Sequence, residues 1–310
     1  MVIHLFMARF IIFNCKNMSR LEVLKTYKIF IGGQFPRTES GRYYTPLDSK
    51  GKALANICLS SRKDVRNAVV AARKAFGPWS ERAAFNRGQI LYRIAEMLEG
   101  RQAQFVDELM RQGSSKVAAA NEVNLSIDRI VYYAGWCDKY NQVVSSVNPV
   151  SSSHFNFSSL EPMGVVGVVA EQNTSLIGLV SLILPAICGG NSTVVLASEK
   201  LPLCAVTFSE VIHSSDVPAG VINILTGSPE EMAVTLASHM DVNALITSNL
   251  ESQLSNKLSL LSVDNLKRKF DYTENWAGQE AQGLHYISDL QEIKTTWHPI
   301  ENVGGASSSY

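Results

Sequence analysis

The 310-residue sequence lacks the features that mark several specialised classes of protein. Its five cysteines are odd in number, widely spread and never arranged as C-x-x-C, which disfavours a disulfide framework or a zinc site and favours a reducing compartment. No run of about 18 apolar residues occurs, so no membrane-spanning helix is predicted. Lysine plus arginine (28) balance aspartate plus glutamate (28), and no charge excess points to nucleic acid or an anionic membrane as a partner. These absences together predict a cytoplasmic protein.

The patterns that hold metals and nucleotides are also missing. His213, His239 and His285 are scattered and form no metal-ligand spacing, so the sequence predicts no metal site. No G-x-G-x-x-G or Walker sequence occurs, which excludes the best-known glycine loops for phosphate binding. What is present is a composition of 46% hydrophobic and 18% charged residues, typical of a globular chain that buries a large core.

The first residues are apolar but match no standard targeting signal. The segment 1–13 is interrupted by His4 and Arg9 and is too short to span a bilayer. It also lacks an early basic region and a clear small-residue cleavage site, so it is a poor signal peptide. We predict an atypical N-terminal extension over residues 1–26, with Met18 as an alternative start.

Helices dominate the chain after this extension. A capping box at Ser61-x-x-Asp64 begins a helix with regularly spaced apolar residues, and Gly77-Pro78 is predicted to end it. Three further helical patterns follow, at residues 81–100, 105–110 and 118–140.

Beyond Pro162 the pattern changes to an alternation of short β runs and helices. The predicted strands lie at residues 164–170, 192–196, 221–225 and 244–246. The predicted helices between them lie at residues 177–188, 203–214 and 230–239. Such alternation implies parallel strands joined by crossover helices, so we predict an α/β fold with a doubly wound, Rossmann-like parallel sheet.

Two other segments flank this alternating region. Residues 142–150 and 154–160 are predicted to be strands joined by a proline and a serine run, so that residues 142–160 form a β-ribbon. An isolated two-stranded ribbon is marginal in water and its open edges invite pairing, so this ribbon predicts contact with another chain. Beyond Lys269 the periodicity fades, and residues 271–310 are predicted to be a divergent C-terminal tail.

Three colinear segments resemble the aldehyde dehydrogenase superfamily. They are IGGQF…SGRYY with DVRNAVVAARKAFGPWS, then RIVYYAGWCDKY, then EPMGVVGVVAEQN with LPAICGGNSTVVLASEKLPL and VPAGVINILTG. The match runs from about Tyr27 to Lys269 and is most similar to the truncated, non-catalytic second unit of the aldehyde dehydrogenase family 16 proteins. The resemblance implies a cofactor-binding domain over residues 27–270, with the ribbon as its oligomerisation element and the catalytic domain largely absent. It also implies association with a like chain or with another aldehyde dehydrogenase unit.

The family oxidises aldehydes to acids with NAD or NADP, and its catalytic groups are only partly matched. The resemblance places the oxyanion-stabilising asparagine at Asn173, although an asparagine there also suits a cap of the following helix. The general-base position falls on Tyr272, and Glu274 could replace it only after a shift in register. The nucleophilic cysteine is expected further on, but no cysteine follows Cys204. Cys188 and Cys204 themselves belong to apolar helices, where a thiol is usually inert.

The cofactor positions implied by the resemblance are eroded as well. The family lysine that meets the adenosine ribose aligns with Leu196. Glu199, a second ribose position, is retained, but it also suits the start of a helix, where a carboxylate is favoured. The family's glycine-spaced loop begins at Thr226 and Gly227 and then loses its glycines, and residues 247–250 replace the phosphate turn. Because glycines let backbone amides approach phosphate, NAD(P) is predicted to bind weakly or not at all.

These observations lead to three hypotheses. The first is an aldehyde dehydrogenase-like protein that is catalytically inactive and acts by oligomerisation or partner binding. The second is a residual NAD-binding module, in which NAD(H) is a ligand rather than a reactant. The third is a fragment of a longer, active enzyme. Nucleotide binding separates the second hypothesis from the first, and the mass of the endogenous protein tests the third.

Overall fold

The computed structural model describes residues 23–300 of the chain. Met18 and most of the predicted extension lie outside these residues, as do residues 301–310. The strands are β1 (Thr26–Tyr27), β2 (Tyr43–Tyr44), β3 (Asn56–Cys58), β4 (Ser146–Asn148), β5 (His154–Pro162), β6 (Val165–Val169), β7 (Ser192–Leu196), β8 (Ile222–Leu225), β9 (Ala244–Ser248), β10 (Arg268–Tyr272) and β11 (Gln291–Pro299). The helices are α1 (Arg62–Ser80), α2 (Ala84–Glu99), α3 (Gln102–Arg111), α4 (Lys116–Trp136), α5 (Tyr140–Val144), α6 (Ile177–Cys188), α7 (Leu203–His213), α8 (Pro229–Ser238), α9 (Ser252–Ser262) and α10 (His285–Ser288).

The centre of the fold is a five-stranded parallel sheet with the order β10-β9-β6-β7-β8. The chain runs outward from β6 to β7 and β8, then crosses back to β9 and β10. All residues of β6 to β9 are buried, as is usual for parallel strands covered on both faces. The predicted doubly wound α/β fold is therefore confirmed. In such sheets ligands bind beyond the carboxyl ends of the strands, near the point where the strand order reverses.

Helices cover both faces of this sheet. One apolar cluster joins the sheet to α1, α8 and α9, and a larger cluster joins its other face to α6 and α7, with α2, α3 and α4 outside them. Every residue of α6 is buried, because this helix lies between the sheet and α4. Within residues 23–300, no helix is long and apolar enough to cross a membrane.

Helix α1 extends past its predicted end. The capping box at its start is present, but the helix continues through Gly77 and Pro78 to Ser80, so the predicted stop is wrong. The side chain of Trp79 is buried, and its indole N–H donates to the carbonyl oxygen of Ile187 in α6 at 3.1 Å. This tertiary contact holds the last turn helical against the local preference of glycine and proline.

The predicted ribbon has three strands rather than two. β5 confirms the strand predicted at 154–160 and pairs antiparallel with β4, but residues 142–144 belong to α5. The third strand is β11, which pairs antiparallel with β5 along its whole length. Since β11 comes from residues 291–299, the interpretation of this segment as a tail is wrong. Most of β11 is exposed, so no apolar periodicity marks it, and backbone pairing rather than burial specifies the strand.

Residues 271–290 also belong to the folded body. β10 runs across the predicted boundary at residue 270 and completes the parallel sheet. The side chains of Trp276, Tyr286, Ile287 and Leu290 are buried in the larger apolar cluster. This segment is irregular apart from the short α10. Its buried aromatic residues therefore show neither the helical nor the strand periodicity by which a sequence predicts structure.

Candidate functional site

The predicted site residues meet at one edge of the parallel sheet. Asn173 follows β6, Glu199 follows β7, and Thr226 and Gly227 follow β8, so all four lie beyond the carboxyl ends of neighbouring strands. Gln172 links the first two loops: its side-chain oxygen accepts from the Glu199 backbone N–H at 2.9 Å. The four residues predicted from the sequence therefore share one edge of the fold, and their role as a site stays a prediction.

Asn173 is exposed and does not cap the following helix. Its backbone N–H donates to Oε1 of Glu171 at 3.1 Å. The first turn of α6 is capped by other groups: the Thr174 hydroxyl accepts from Gly178 N at 3.2 Å, and a carboxylate oxygen of Glu122 accepts from Leu176 N at 2.9 Å. The capping alternative for Asn173 is therefore wrong, and its amide is free to reach solvent.

The crevice beside Asn173 is filled by side chains of the chain itself. The buried carboxylate of Glu171 accepts from the Ser248 hydroxyl at 3.1 Å and from the side-chain amide of Asn249. The indole of Trp276, which is only 2% exposed, donates to the same Ser248 hydroxyl at 2.7 Å. These contacts tie the loop after β6 to the end of β9 and to the segment after β10. We call the set Glu171, Ser248, Asn249 and Trp276 the crevice cluster.

Hydrogen bonds of its backbone, rather than of its carboxylate, hold Glu199 in place. Its N–H bonds to Gln172 and its carbonyl oxygen accepts from the Tyr44 hydroxyl at 3.2 Å. Burial, and then the neighbouring Glu230, raise the pKa of the half-buried Glu199 carboxyl. Leu196, the position that the resemblance gives to a ribose-contacting lysine, is fully buried at the end of β7. The described groups here thus include a carboxylate but not the cation that the resemblance pairs with it.

Thr226 and Gly227 are engaged in internal packing. The buried Thr226 hydroxyl donates to the Cys58 carbonyl oxygen at 2.6 Å. Gly227 has a φ of +131°, and a Cβ there would approach Leu59 Cδ1 to 3.0 Å and Ser60 N to 3.1 Å. The close approach that glycine permits is therefore used by the chain itself at this position.

The N-termini of the helices at this edge of the sheet carry acidic residues. Glu230 and Glu231 lie in the first turn of α8, and Glu251 is the N-cap residue of α9. A cleft of about 250 Å³ between these helix starts is lined by Glu230, Glu251 and Lys257 among others. Carboxylates are favoured at helix N-termini, but here they stand where a dinucleotide fold would receive phosphate.

The residues at the general-base position have structural contacts. The Tyr272 hydroxyl donates to Asp289 at 3.0 Å, and burial followed by the Asp289 charge raises its pKa far above the ordinary value. A phenol that keeps its proton cannot accept one from water at neutral pH. The backbone carbonyl oxygen of Glu274 accepts from Asn249 at 3.0 Å, which fixes this segment to the crevice cluster.

The two cysteines considered as substitutes for the nucleophile are inert by environment. Cys188 and Cys204 are completely buried in α6 and α7, as predicted. Burial raises the pKa of both thiols well above the ordinary value, so neither forms a thiolate near neutral pH. Within residues 23–300, no cluster of three or more histidine, cysteine, aspartate or glutamate residues has the geometry of a metal site.

Two groups that organise this region were missed by the sequence analysis. Glu171 lies two residues after a fully buried strand, and a charged residue so close to a buried strand is a signal that could have found it. Arg129 lies inside α4, where its buried guanidinium donates to Ser181 Oγ at 2.6 Å and to the carbonyl oxygens of Trp276, Gly278 and Ala281. These bonds hold the segment after β10 against the core.

Comparisons with known proteins agree with this architecture. Among curated relatives, the cytosolic 10-formyltetrahydrofolate dehydrogenase of Mus musculus is 31% identical over 236 residues, which cover 74% of this chain and 26% of that protein. The mitochondrial benzaldehyde dehydrogenase of Antirrhinum majus is 32% identical over 246 residues, covering 77% of this chain and 45% of that one. The chain thus spans less than half the length of these two relatives.

Solved structures give the same result. HpcC from Thermus thermophilus has a TM-score of 0.76 at 26% identity, covering 80% of this chain and 48% of that chain. The NAD+ complex of an aldehyde dehydrogenase from Bacillus cereus has a TM-score of 0.75 at 24% identity, covering 80% and 50%. A model of the aldehyde dehydrogenase family matches residues 35–248. The specific likeness to family 16 stays a prediction, but the fold and this match show that the chain belongs to the aldehyde dehydrogenase family.

Proposed function

We propose that this chain is a catalytically inactive member of the aldehyde dehydrogenase family that acts by association with another chain in the cytoplasm. The observation that carries the proposal is the crevice cluster. Glu171 and Trp276 occupy the crevice beyond the strand ends and bond to Ser248 and Asn249 there. Space and hydrogen bonds that a substrate or cofactor would need are thus already used by the protein.

The catalytic chemistry supports the same conclusion. Aldehyde oxidation in this family needs a thiolate, an oxyanion donor and a base. Only the oxyanion position is matched, by the exposed Asn173. Tyr272 keeps its proton, and the buried thiols of Cys188 and Cys204 keep theirs. An oxyanion donor without a nucleophile has no tetrahedral intermediate to stabilise.

The described residues do not fit NAD(P) well. Leu196 offers no charge to a ribose, and the space above Gly227 is closed by residues 59–60. Glu230 and Glu251 would repel a pyrophosphate at the helix starts, and the single cation among the described residues of the same cleft, Lys257, offsets only part of their charge. We therefore propose that NAD(P) binds weakly or not at all, which disfavours the residual NAD-binding module, and we assign no reaction step to the cofactor.

Association is supported by the sheet formed by β4, β5 and β11. Val147 and Phe155 are exposed, and together with Phe157 they line an apolar cleft of about 360 Å³. Large exposed apolar groups concentrated on one sheet mark a contact surface rather than a solvated one. A homo-oligomer, or a complex with another aldehyde dehydrogenase chain, would cover them.

The test combines activity with size. The purified chain is incubated with a panel of aliphatic and aromatic aldehydes and either NAD or NADP, and formation of the reduced nicotinamide is followed. The Bacillus cereus aldehyde dehydrogenase serves as the active control. The proposal expects no turnover above background and an oligomer by light scattering. Turnover that is lost in Asn173→Ala would contradict it. If the endogenous product is longer than this chain, the assay is repeated on that product.

A further inference from the structure

The strand β11 is an open edge of the three-stranded sheet. Within the described residues the order is β11-β5-β4, so one side of β11 bonds to β5 and its other side faces outward. Eight of its nine residues are not buried. A long unpaired edge of this kind is a template for addition of another strand.

The charged side chains of β11, which would discourage the addition of a strand, already form ion pairs within the chain. Lys294 bonds to Glu161 at 2.9 Å, and Glu292 bonds to Arg268 at 2.7 Å. Charged side chains, especially lysine, normally discourage edge pairing because an approaching strand must leave them unpaired. Here Lys294 and Glu292 each have a partner of opposite charge within the chain.

The face of β11 opposite to Glu292 and Lys294 carries large apolar side chains. Ile293 is 72% exposed and Trp297 is 57% exposed, and both lie on the same face because they are four residues apart in a strand. Thr295 lies between them on that face. A monomer gains nothing from this exposure, whereas a neighbouring strand would cover both side chains.

The sequence of β11 is complementary to itself about Thr295. When the strand is placed antiparallel to a copy with Thr295 opposite Thr295, Ile293 lies opposite Trp297 and Glu292 lies opposite His298. Ile293 and Trp297 then form an aliphatic–aromatic pair, which is favourable across strands, and Glu292 keeps Arg268 as its partner. Centring the pairing one residue earlier or later places Ile293 opposite Thr295 or Pro299 instead, and parallel pairing in register places Glu292 beside Glu292.

We propose that β11 pairs antiparallel with β11 of a second copy, with Thr295 at the two-fold axis, and so joins two three-stranded sheets into one. The proposal deepens and rests on the proposed function, which requires association but names no edge. The contact is isologous, so it closes a dimer and leaves no further β11 edge for growth.

A cysteine placed at the axis tests this geometry. In Thr295→Cys the two thiols face each other at cross-strand distance, and mild oxidation is expected to convert most of the protein into a covalent dimer. Thr296→Cys is the matched control, since residue 296 lies on the other face and opposite Lys294. The wild-type chain reports background cross-linking from its own cysteines. Cross-linking of Thr296→Cys as strongly as Thr295→Cys would overturn the proposal.

A second pair of variants tests the apolar contact without a new thiol. Trp297→Lys is expected to weaken the dimer by about tenfold or more in sedimentation equilibrium. Leu266→Lys, at a residue 89% exposed and outside the sheet, is the control and leaves the dimer intact. If the wild-type chain is an oligomer, its size is unchanged in Trp297→Lys, and Thr295→Cys forms no covalent dimer, then the β11 pairing is wrong. The proposed function would still stand in that case. A wild-type chain that is monomeric and captures no other aldehyde dehydrogenase unit defeats the proposed function as well.

Discussion

The buried Arg129 permits the sharpest mutational test of the crevice cluster. In the described part of the chain, all contacts of its guanidinium are to neutral oxygens: Ser181 Oγ and the carbonyl oxygens of Trp276, Gly278 and Ala281. Burial lowers the pKa of Arg129, although an arginine still keeps its charge at neutral pH. The perturbation is Arg129→Met, which keeps the apolar stem and removes every donor.

The expected loss follows from these contacts. A hydrogen bond to a charged group contributes roughly 1.5–3 kcal/mol to stability, but removing the buried charge also removes its desolvation cost. We therefore expect Arg129→Met to lower the free energy of unfolding by about 3 kcal/mol. Urea denaturation measures it, and hydrogen exchange should accelerate mainly in residues 274–284. Arg93→Met is the control: within residues 23–300 the one ion pair of Arg93 is an exposed contact with Glu96, and its loss should lower the free energy of unfolding by about 0.5 kcal/mol or less. A loss below about 1 kcal/mol for Arg129→Met would refute the claim that this arginine anchors the segment.

Three further predictions concern other parts of the fold. Phe155→Lys combined with Phe157→Lys should reduce in light scattering any oligomer larger than the β11-paired dimer to that dimer, and an unchanged size would exclude the apolar cleft from the interface. Gly227→Ala should destabilise the fold by about 2 kcal/mol, because its φ is +131° and Leu59 blocks a Cβ, whereas Gly77→Ala in α1 should be neutral or stabilising; equal effects in denaturant would contradict this. Burial lowers the pKa of Lys267 to about 8 from 10.5, so the unfolded chain binds more protons between these values and the free energy of unfolding should rise with pH there. Lys267→Met should remove that rise. The same pH dependence of the free energy of unfolding in variant and wild type would contradict the assignment to Lys267.

The parallel sheet and its helices could be predicted because burial leaves a strong pattern. Helix α6 was predicted with its observed bounds, since a continuous apolar run is followed there by Gly189 and Gly190. The same holds for β7, which is buried at every residue. Where a segment is buried on all sides, composition alone marks it, and only the turns decide its ends.

Elements held by pairing or by polar contacts could not be predicted in this way. β11 is exposed and has no apolar period, so its pairing with β5 is visible only in three dimensions. The contacts of Glu171 with Ser248 and Asn249 join residues far apart in sequence. The sequence located the edge of the sheet where the site residues meet, but it did not indicate that the crevice there is filled.

Isothermal titration calorimetry with NAD+ tests the central claim most directly, because we propose that the crevice cluster occupies the edge of the sheet at which doubly wound folds bind dinucleotides. The Bacillus cereus aldehyde dehydrogenase, which has been solved as an NAD+ complex, is the positive control. The account predicts a dissociation constant weaker than about 1 mM, corresponding to a binding free energy smaller than about 4 kcal/mol. A micromolar constant for this chain, measured beside a normal signal from the control, would contradict it.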